Sequence, residues 1–327
     1  MSTLFAAGID VGGTSIAIGL VDSSGNLLIK KSLETKPQRS FEAIIQDIAG
    51  TVLLLLEQTG KKIEDISGTG FGVPSTIDPN TKKLIFANNL SWLNMDLAGE
   101  YTKYIPGQIY IENDAACAVL GEVKTDPQAG KNVLMITFGT GVGGGLIIDG
   151  KLFRGCDGFG IEPGHIVLVY GGRKCNCGNS GCVEAYCSVT ALVEQTKEKM
   201  SEYPGSLMWD SCIDSGGSYN INLADSRTVF SAAKKGDSAA LELLDNFTAM
   251  AGQAIANLIT VFRPEKVIIG GGLCNEGDYF ITALYEAAKK SYFGSGLMPM
   301  PPFNKARLGN DAGIVGAAML AMQATAL

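Results

Sequence analysis

The chain has 327 residues, 46% of them hydrophobic and 18% charged, and carries a net charge of −7. That composition belongs to a folded, water-soluble protein rather than a disordered or fibrous one, and the length favours two domains over a single core. The acidic balance, with no basic run longer than a pair, argues against a nucleic-acid partner, and the strongest apolar run, "VLLLL" at 52–56, is far too short to span a membrane.

The opening "MSTLFAAGID" lacks a basic region followed by an apolar one, so no signal peptide is expected. "LFAAGIDV", the turn "GGT", "SIAIGLVD", the turn "SSGN" and "LLIKKSLE" then read as a three-strand meander within the first 36 residues. Residues 41–59 show helical periodicity through Ile44, Ile45, Ile48, Val52, Leu55 and Leu56, with Ser40 as N-cap. "ISGTGFGV" is a buried strand and "QIYIEND" another, so the pattern β-β-β-α-β-α-β predicts an α/β fold with helices against a mixed sheet. The nearest composition break is "TDPQAGK" at 125–131. After it, "GTGVGGGLIIDGKLF" (139–153) repeats the offsets of "GTSIAIGLVDSSGNLL" (13–28), and each copy follows a strand. We read two similar α/β halves, each offering a Gly-Thr hairpin to a shared cleft. Residues 202–220 look like a surface excursion of the second half, and "KVIIGGGL" (266–273) is a buried strand ending in three glycines.

"GTGVGG" (139–144) matches the form G-x-G-x-x-G, but a strand and turn, "GLIIDGK", follow where the dinucleotide fingerprint requires a helix N-terminus. Another phosphate device remains. Hairpins at Gly12, Gly13 and Thr14, and at Gly139, Thr140, Gly141 and Gly143, can aim backbone N–H groups and a Thr hydroxyl at an anion; the plainer alternative is that they are only tight turns. Asp10, just before the first hairpin, suits Mg²⁺ held largely through waters, and also suits capping its own turn. Gly271 and Gly272 leave bare backbone against which an adenosine ring can lie, although glycines at such junctions often serve packing.

"IYIENDAACAVLGE" (109–122) runs from strand to helix with Asn113-Asp114 at the junction. Transfer of a phosphoryl group to an alcohol needs a carboxylate to take the hydroxyl proton and an oriented group to fix the alcohol. Asp114 and Asn113 fit those roles. The alternative is that one or both cap the helix, and one can cap while the other reacts.

Taken in order, "GIDVGGT", "ENDAACAVLGE", "FGTGVGGGLIIDG", "IEPGH", "CNCGNSGCVE" and "VIIGGGL" resemble the ROK family of sugar kinases and repressors across essentially the whole chain. The resemblance implies an actin/hexokinase-like (ribonuclease H-like) ATPase fold of two α/β domains. The smaller would be residues 1–118 with a C-terminal helix at 312–327, and the larger 119–311. It implies Asp114 as catalytic base, Asn89, Asn113, Glu162, His165 and Glu184 as sugar ligands, and the two glycine hairpins as phosphate clamps for ATP with Mg²⁺. The implied reaction is phosphorylation of a hexose 6-hydroxyl, with glucose favoured over N-acetylmannosamine, N-acetylglucosamine, fructose or allose. A homo-oligomer, dimer or tetramer, is implied too. A sugar-responsive repressor of the same family would carry a helix-turn-helix first, and "GIDVGGT" at residue 8 leaves no room for one in this sequence. Ser15 where Lys is frequent, Ala116 for Asn, Ile161 and Pro163 around Glu162, and Ser75 for Gly depart from the family pattern and bear on sugar preference.

His165 is the only histidine, and Cys175, Cys177 and Cys182 follow it closely. One imidazole and three thiolates make a closed set for a structural Zn²⁺ with no position left for catalysis. The alternative is three buried free thiols beside a satisfied histidine, which the C-x-C-G-x₂-G-C spacing disfavours. Glu162 and Glu184 bracket the ligands, so the metal would steady two carboxylates that grip sugar hydroxyls. The other cysteines, at 117, 156, 187, 212 and 274, are scattered as expected of reduced thiols in a cytoplasm.

Overall fold

The structure is a computed structural model and describes residues 4–78, 81–87 and 90–324. The meander forms as its alternation requires: β1 (Phe5–Val11) pairs antiparallel with β2 (Ser15–Asp22), and β2 with β3 (Leu27–Glu34). Next comes α1 (Phe41–Gln58), begun by Ser40, whose hydroxyl accepts the Ala43 N–H at 3.2 Å. Its apolar stripe, Ile44, Ile45, Ile48, Val52, Leu55 and Leu56, is buried with Ile9, Ile18 and Leu20 of the meander. Each such side chain contributes about 1.5–3 kcal/mol by leaving water, so this stripe rather than helix propensity holds α1 down.

β4 (Ile66–Val73) lies parallel to β1. The short strands β5 (Thr76–Ile77), β6 (Leu84–Ala87) and β7 (Trp92–Met95) form a small antiparallel sheet whose Trp92 packs edge-on against Phe41 at 5.0 Å. After α2 (Leu97–Tyr101), β8 (Ile109–Asn113) joins parallel to β4, completing a five-stranded sheet of order β3-β2-β1-β4-β8. The chain passes directly from β8 into α3 (Asp114–Lys124).

A second five-stranded sheet has the order β11-β10-β9-β12-β13, built from β9 (Val133–Phe138), β10 (Val142–Ile148), β11 (Lys151–Leu152), β12 (Lys266–Gly270) and β13 (Phe303–Lys305). Both sheets run third strand, second strand, first strand, then the two later ones, which is the duplication that the matched Gly-Thr hairpins suggested. Helices α4 (Glu184–Cys187), α5 (Val189–Glu202), α6 (Ser226–Lys234), α7 (Ser238–Phe262) and α8 (Asp278–Ser291) fill the sequence before β13, and α9 (Ala312–Ala324) ends the described chain. The excursion after α5 holds 3-10 turns at Leu207–Ser211 and Ile221–Leu223, and a bridge between Ile213 and Tyr219.

The chain divides into two compact units, residues 1–135 with 144–161 and 306–327, and residues 136–143 with 162–305; the division passes within β9 and β10. In the first unit α9 lies directly on the sheet. A Cβ at Gly8 would strike the Ile314 carbonyl, and one at Gly70 the Ala317 carbonyl, so only glycines let the helix backbone come this close. No helix among the described residues is long and apolar enough to cross a membrane.

Candidate active site

In the first unit, strand register assembles the acidic residues. Asp10 pairs with Gly72 on β4, and Gly72 with Glu112 on β8, so the three occupy one row across neighbouring parallel strands. The middle residue has no side chain. A Cβ on Gly72 would lie 3.3 Å from Cys117 Sγ and 3.4 Å from Asp114 Cα, so its absence lets the start of α3 settle over β4. Asp114 thereby comes within electrostatic reach of Asp10: burial first, then the Asp114 carboxylate, push Asp10 up to about 7. Burial raises Asp114 as well, against the opposing hydrogen bond from the Ala115 N–H at 2.8 Å. Two carboxylates with heightened proton affinity, adjacent and poorly solvated, suit proton abstraction near neutral pH. Cys117 beneath them is driven well above the usual thiol range by burial and by Glu112, Asp10 and Asp114, so it is an inert neighbour.

At the junction the cap is Asn113. Asn113 Oδ1 accepts the Ala115 and Ala116 N–H groups at 2.9 and 3.1 Å, so Asn113 caps α3 and keeps its amide N–H₂ for donation. Asp114 is the first helical residue. Glu112, 8% exposed, accepts the Asn113 N–H at 3.1 Å and pairs with Arg154. Sequence reasoning missed that pair, because nothing local marks a strand glutamate as the partner of an arginine 42 positions on. It also missed Gly313 in the first turn of α9, where any Cβ would collide with the Asp10 carboxyl. The small-residue run "AGIVGAAMLA" was the available signal for such close packing.

Asp10 meets the demands of a hard cation. A carboxylate whose ionisation is opposed by burial and by a like charge is short of positive charge, and one carboxylate with water suits Mg²⁺. The hairpin beside it closes through Gly12 N–H to Ser15 O at 2.9 Å and is braced from β3's end by Thr35, whose N–H donates to Thr14 O at 3.0 Å and whose Oγ1 donates to Gly12 O at 2.7 Å. Gly13 sits at its tip.

The second unit holds the other hairpin, closed by Gly139 N–H to Gly141 O at 2.9 Å. Strand β10, containing Gly143, follows it, so the helix that a dinucleotide fingerprint requires is not there. Glu184 reaches this turn: its Oε2 accepts the Val142 N–H at 2.9 Å. Gly271, at φ +87°, lies against the main chain of Phe138, which explains its glycine by packing, while Gly272 faces open space. Glu162 is exposed and precedes the 3-10 turn Pro163–His165, its carbonyl accepting the His165 N–H at 3.1 Å. Asn89 lies outside the described residues.

His165, Cys175, Cys177 and Cys182 do converge, with one ligand atom from each lying within 4.8 Å of the others. Cys175 Sγ is 3.7 Å from His165 Nδ1, and Cys177 Sγ is 3.6 Å from Cys182 Sγ. Tetrahedral Zn²⁺ with Zn–S of ~2.3 Å and Zn–N of ~2.0 Å would put ligand edges at roughly 3.5–3.8 Å. The donor chemistry suits the ion, and these two edges match its tetrahedral spacing. A small hairpin shapes the cluster, with Cys175 N–H donating to Asn179 O at 2.9 Å and Gly178 N–H to Cys175 O at 3.0 Å. Because Nδ1 faces the thiols, Nε2 is the nitrogen left for another partner.

Comparison with known proteins matches the ROK family over residues 6–324. The chain belongs to the ROK family. This ROK chain is 34% identical over 330 residues to a glucokinase of Halalkalibacterium halodurans, covering 99% of the chain and 96% of that protein. It is 35% identical over 326 residues to a glucokinase of Thermotoga maritima, covering 98% of each. Among solved structures, a ROK family glucokinase from Streptomyces griseus in complex with glucose and AMPPNP superposes with a TM-score of 0.84 at 32% identity, covering 98% of this chain and 100% of that one. The ROK sugar-kinase architecture, and with it the actin/hexokinase-like fold, is therefore that of this chain.

Proposed function

We propose that this ROK chain is an ATP-dependent hexose kinase that phosphorylates the 6-hydroxyl of glucose. The observation that carries the reading is Asp114, held at the first turn of α3 beside Asp10 with its proton affinity raised. Full-length likeness to glucokinases supports it.

In this reading Asp114 takes the proton of the attacking hydroxyl through the oxygen that the Ala115 N–H does not hold. Base catalysis of this kind contributes about 10²–10⁴ in rate. Asn113, its Oδ1 committed to the helix, orients the sugar as a donor. Glu162, His165 through Nε2, Glu184 and Asn89 bind sugar hydroxyls. The hairpins at Gly12–Thr14 and Gly139–Gly143 present N–H groups to the nucleotide's phosphates, and the glycines at 271 and 272 border its adenosine. Mg²⁺, held through Asp10 and water, would supply positive charge against the γ-phosphate. Zn²⁺ held by His165, Cys175, Cys177 and Cys182 would order the segment carrying Glu162 and Glu184 and take no part in the chemistry. A cytoplasmic homo-oligomer is the expected working form.

An ADP-release assay over glucose, fructose, allose, N-acetylglucosamine and N-acetylmannosamine with Mg·ATP tests the reading. We expect glucose to give the highest kcat/KM. Turnover of another hexose above glucose would move the substrate assignment, and silence on every sugar would overturn the kinase assignment.

A further inference from the structure

The phosphate turn of the second unit does not shape itself. Gly139, Thr140 and Val142 are each tied to the segment that runs from the cysteine knuckle into α5. Gly139 O accepts the Val189 N–H at 2.8 Å, and Thr140 O accepts the Thr190 hydroxyl at 2.8 Å. Val142 N–H donates to Glu184 Oε2 at 2.9 Å, and a Cβ on Gly141 would run into that carboxylate. Gly164, beside His165, fits under the Val142 carbonyl only because it lacks a side chain.

These bonds have a directional consequence. In a trans peptide the N–H of one residue points opposite to the C=O of the residue before it. The cis bond found among the described residues is at Gly160–Ile161, so the peptides of this turn are trans. With Gly139 O and Thr140 O drawn toward the start of α5, the Thr140 and Gly141 N–H groups are turned together to the opposite side. Two successive N–H groups facing one way make an anion-binding concavity.

We infer that Thr190 and Glu184 are positioning residues for nucleotide binding: they hold the Gly139–Val142 peptides in the orientation that receives phosphate. Thr190 touches no reacting atom in this arrangement and acts through the Thr140 carbonyl. Glu184 acts through Val142 with one carboxylate oxygen, leaving the other for the sugar. The inference rests on the kinase reading and adds a determinant of nucleotide affinity outside the glycine motif.

The test measures Mg·AMPPNP binding by calorimetry without sugar, and glucose binding without nucleotide, in the full chain. Thr190→Val keeps the shape and removes the hydroxyl, and we expect AMPPNP affinity to fall about tenfold, a usual consequence of losing one aligned hydrogen bond. Glucose affinity should stay within about twofold, and Thr190→Ser should restore nucleotide binding. Glu184→Gln retains an acceptor for Val142 N–H and should bind AMPPNP like the parent, whereas Glu184→Ala should not. Steady-state kinetics of Thr190→Val should show a raised KM for ATP with an unchanged KM for glucose. AMPPNP binding by Thr190→Val equal to the parent's, or an equal loss of nucleotide and glucose binding, would overturn the inference. A parent that binds AMPPNP yet phosphorylates no sugar would instead refute the kinase reading. Thr190 is exposed, so its variants test the idea even if Glu184→Ala fails to fold.

Discussion

Asp10→Asn should make the protein more stable at alkaline pH while removing its activity. In the fold Asp10 titrates at about 7, against 3.8 for a solvated aspartate, a rise of about three powers of ten in proton affinity. The unfolded chain therefore ionises Asp10 from pH 4 upward, whereas the folded one keeps the proton until about pH 7. Across that window the folded state binds the extra proton, so the Asp10 contribution to stability declines as pH rises and levels off above 7. At about 1.36 kcal/mol per power of ten the ceiling is ~4 kcal/mol, and solvent reaching the partly exposed carboxyl makes ~2 kcal/mol the working figure. Asparagine cannot ionise and escapes this decline. Urea unfolding of parent and variant at pH 4.5, 6 and 8, without added Mg²⁺ or nucleotide, should show a gap favouring the variant that widens with pH. A variant no more stable than the parent at pH 8, or a gap independent of pH, would refute the claim that Asp10 is held ionised at a cost. Added Mg·ATP should stabilise the parent more than the variant, since binding at the native carboxylate adds to its stability by mass action.

Asp114→Asn should lower kcat by about 10²-fold or more with glucose binding retained, measured by ADP release and calorimetry; unchanged turnover would remove Asp114 from the base's role. Gly313→Ala adds a methyl where the Asp10 carboxyl lies, in a helix where alanine is otherwise preferred by up to ~1 kcal/mol. The collision costs about 1–3 kcal/mol against that preference, so the melting temperature should hold or fall slightly while kcat falls about 10²-fold through displacement of Asp10, and equal activity would show that Asp10's position is not critical. Cys177→Ser should lower bound zinc, measured by atomic emission, from about one ion per chain, the occupancy of a closed four-ligand site, and should lower the unfolding midpoint. Zinc-free parent protein of full stability would refute the structural role of the cluster.

Where local periodicity carries the information, the sequence was sufficient. The meander, α1 behind Ser40, β4 and the strand-to-helix junction at Asn113-Asp114 all follow from alternation, capping and apolar spacing, and they occur where expected. The cysteine spacing likewise predicted a convergence that the structure contains. Less legible was everything decided by a missing side chain across a long loop. Gly72 and Gly313 matter because of what each leaves room for, Asp114 in one case and Asp10 in the other, and no nearby residue announces either. Arg154 beside Glu112 and Thr190 beside Thr140 are contacts of tertiary register, which has no sequence period. The motif alone marks Glu184 as a sugar ligand; its bond to Val142 is a product of the fold.

The seat of α9 on β1 and β4 has a consequence for biosynthesis. The strands it covers are complete by residue 113, but the helix begins at Ala312. A ribosome adding about 5–20 residues per second takes roughly 10–40 s to make the intervening stretch, and during that time the part of the sheet that α9 covers stands without it. Gly8 and Gly70 leave bare backbone in that patch, so a chain truncated before α9 should expose it for good and aggregate more readily than the full chain.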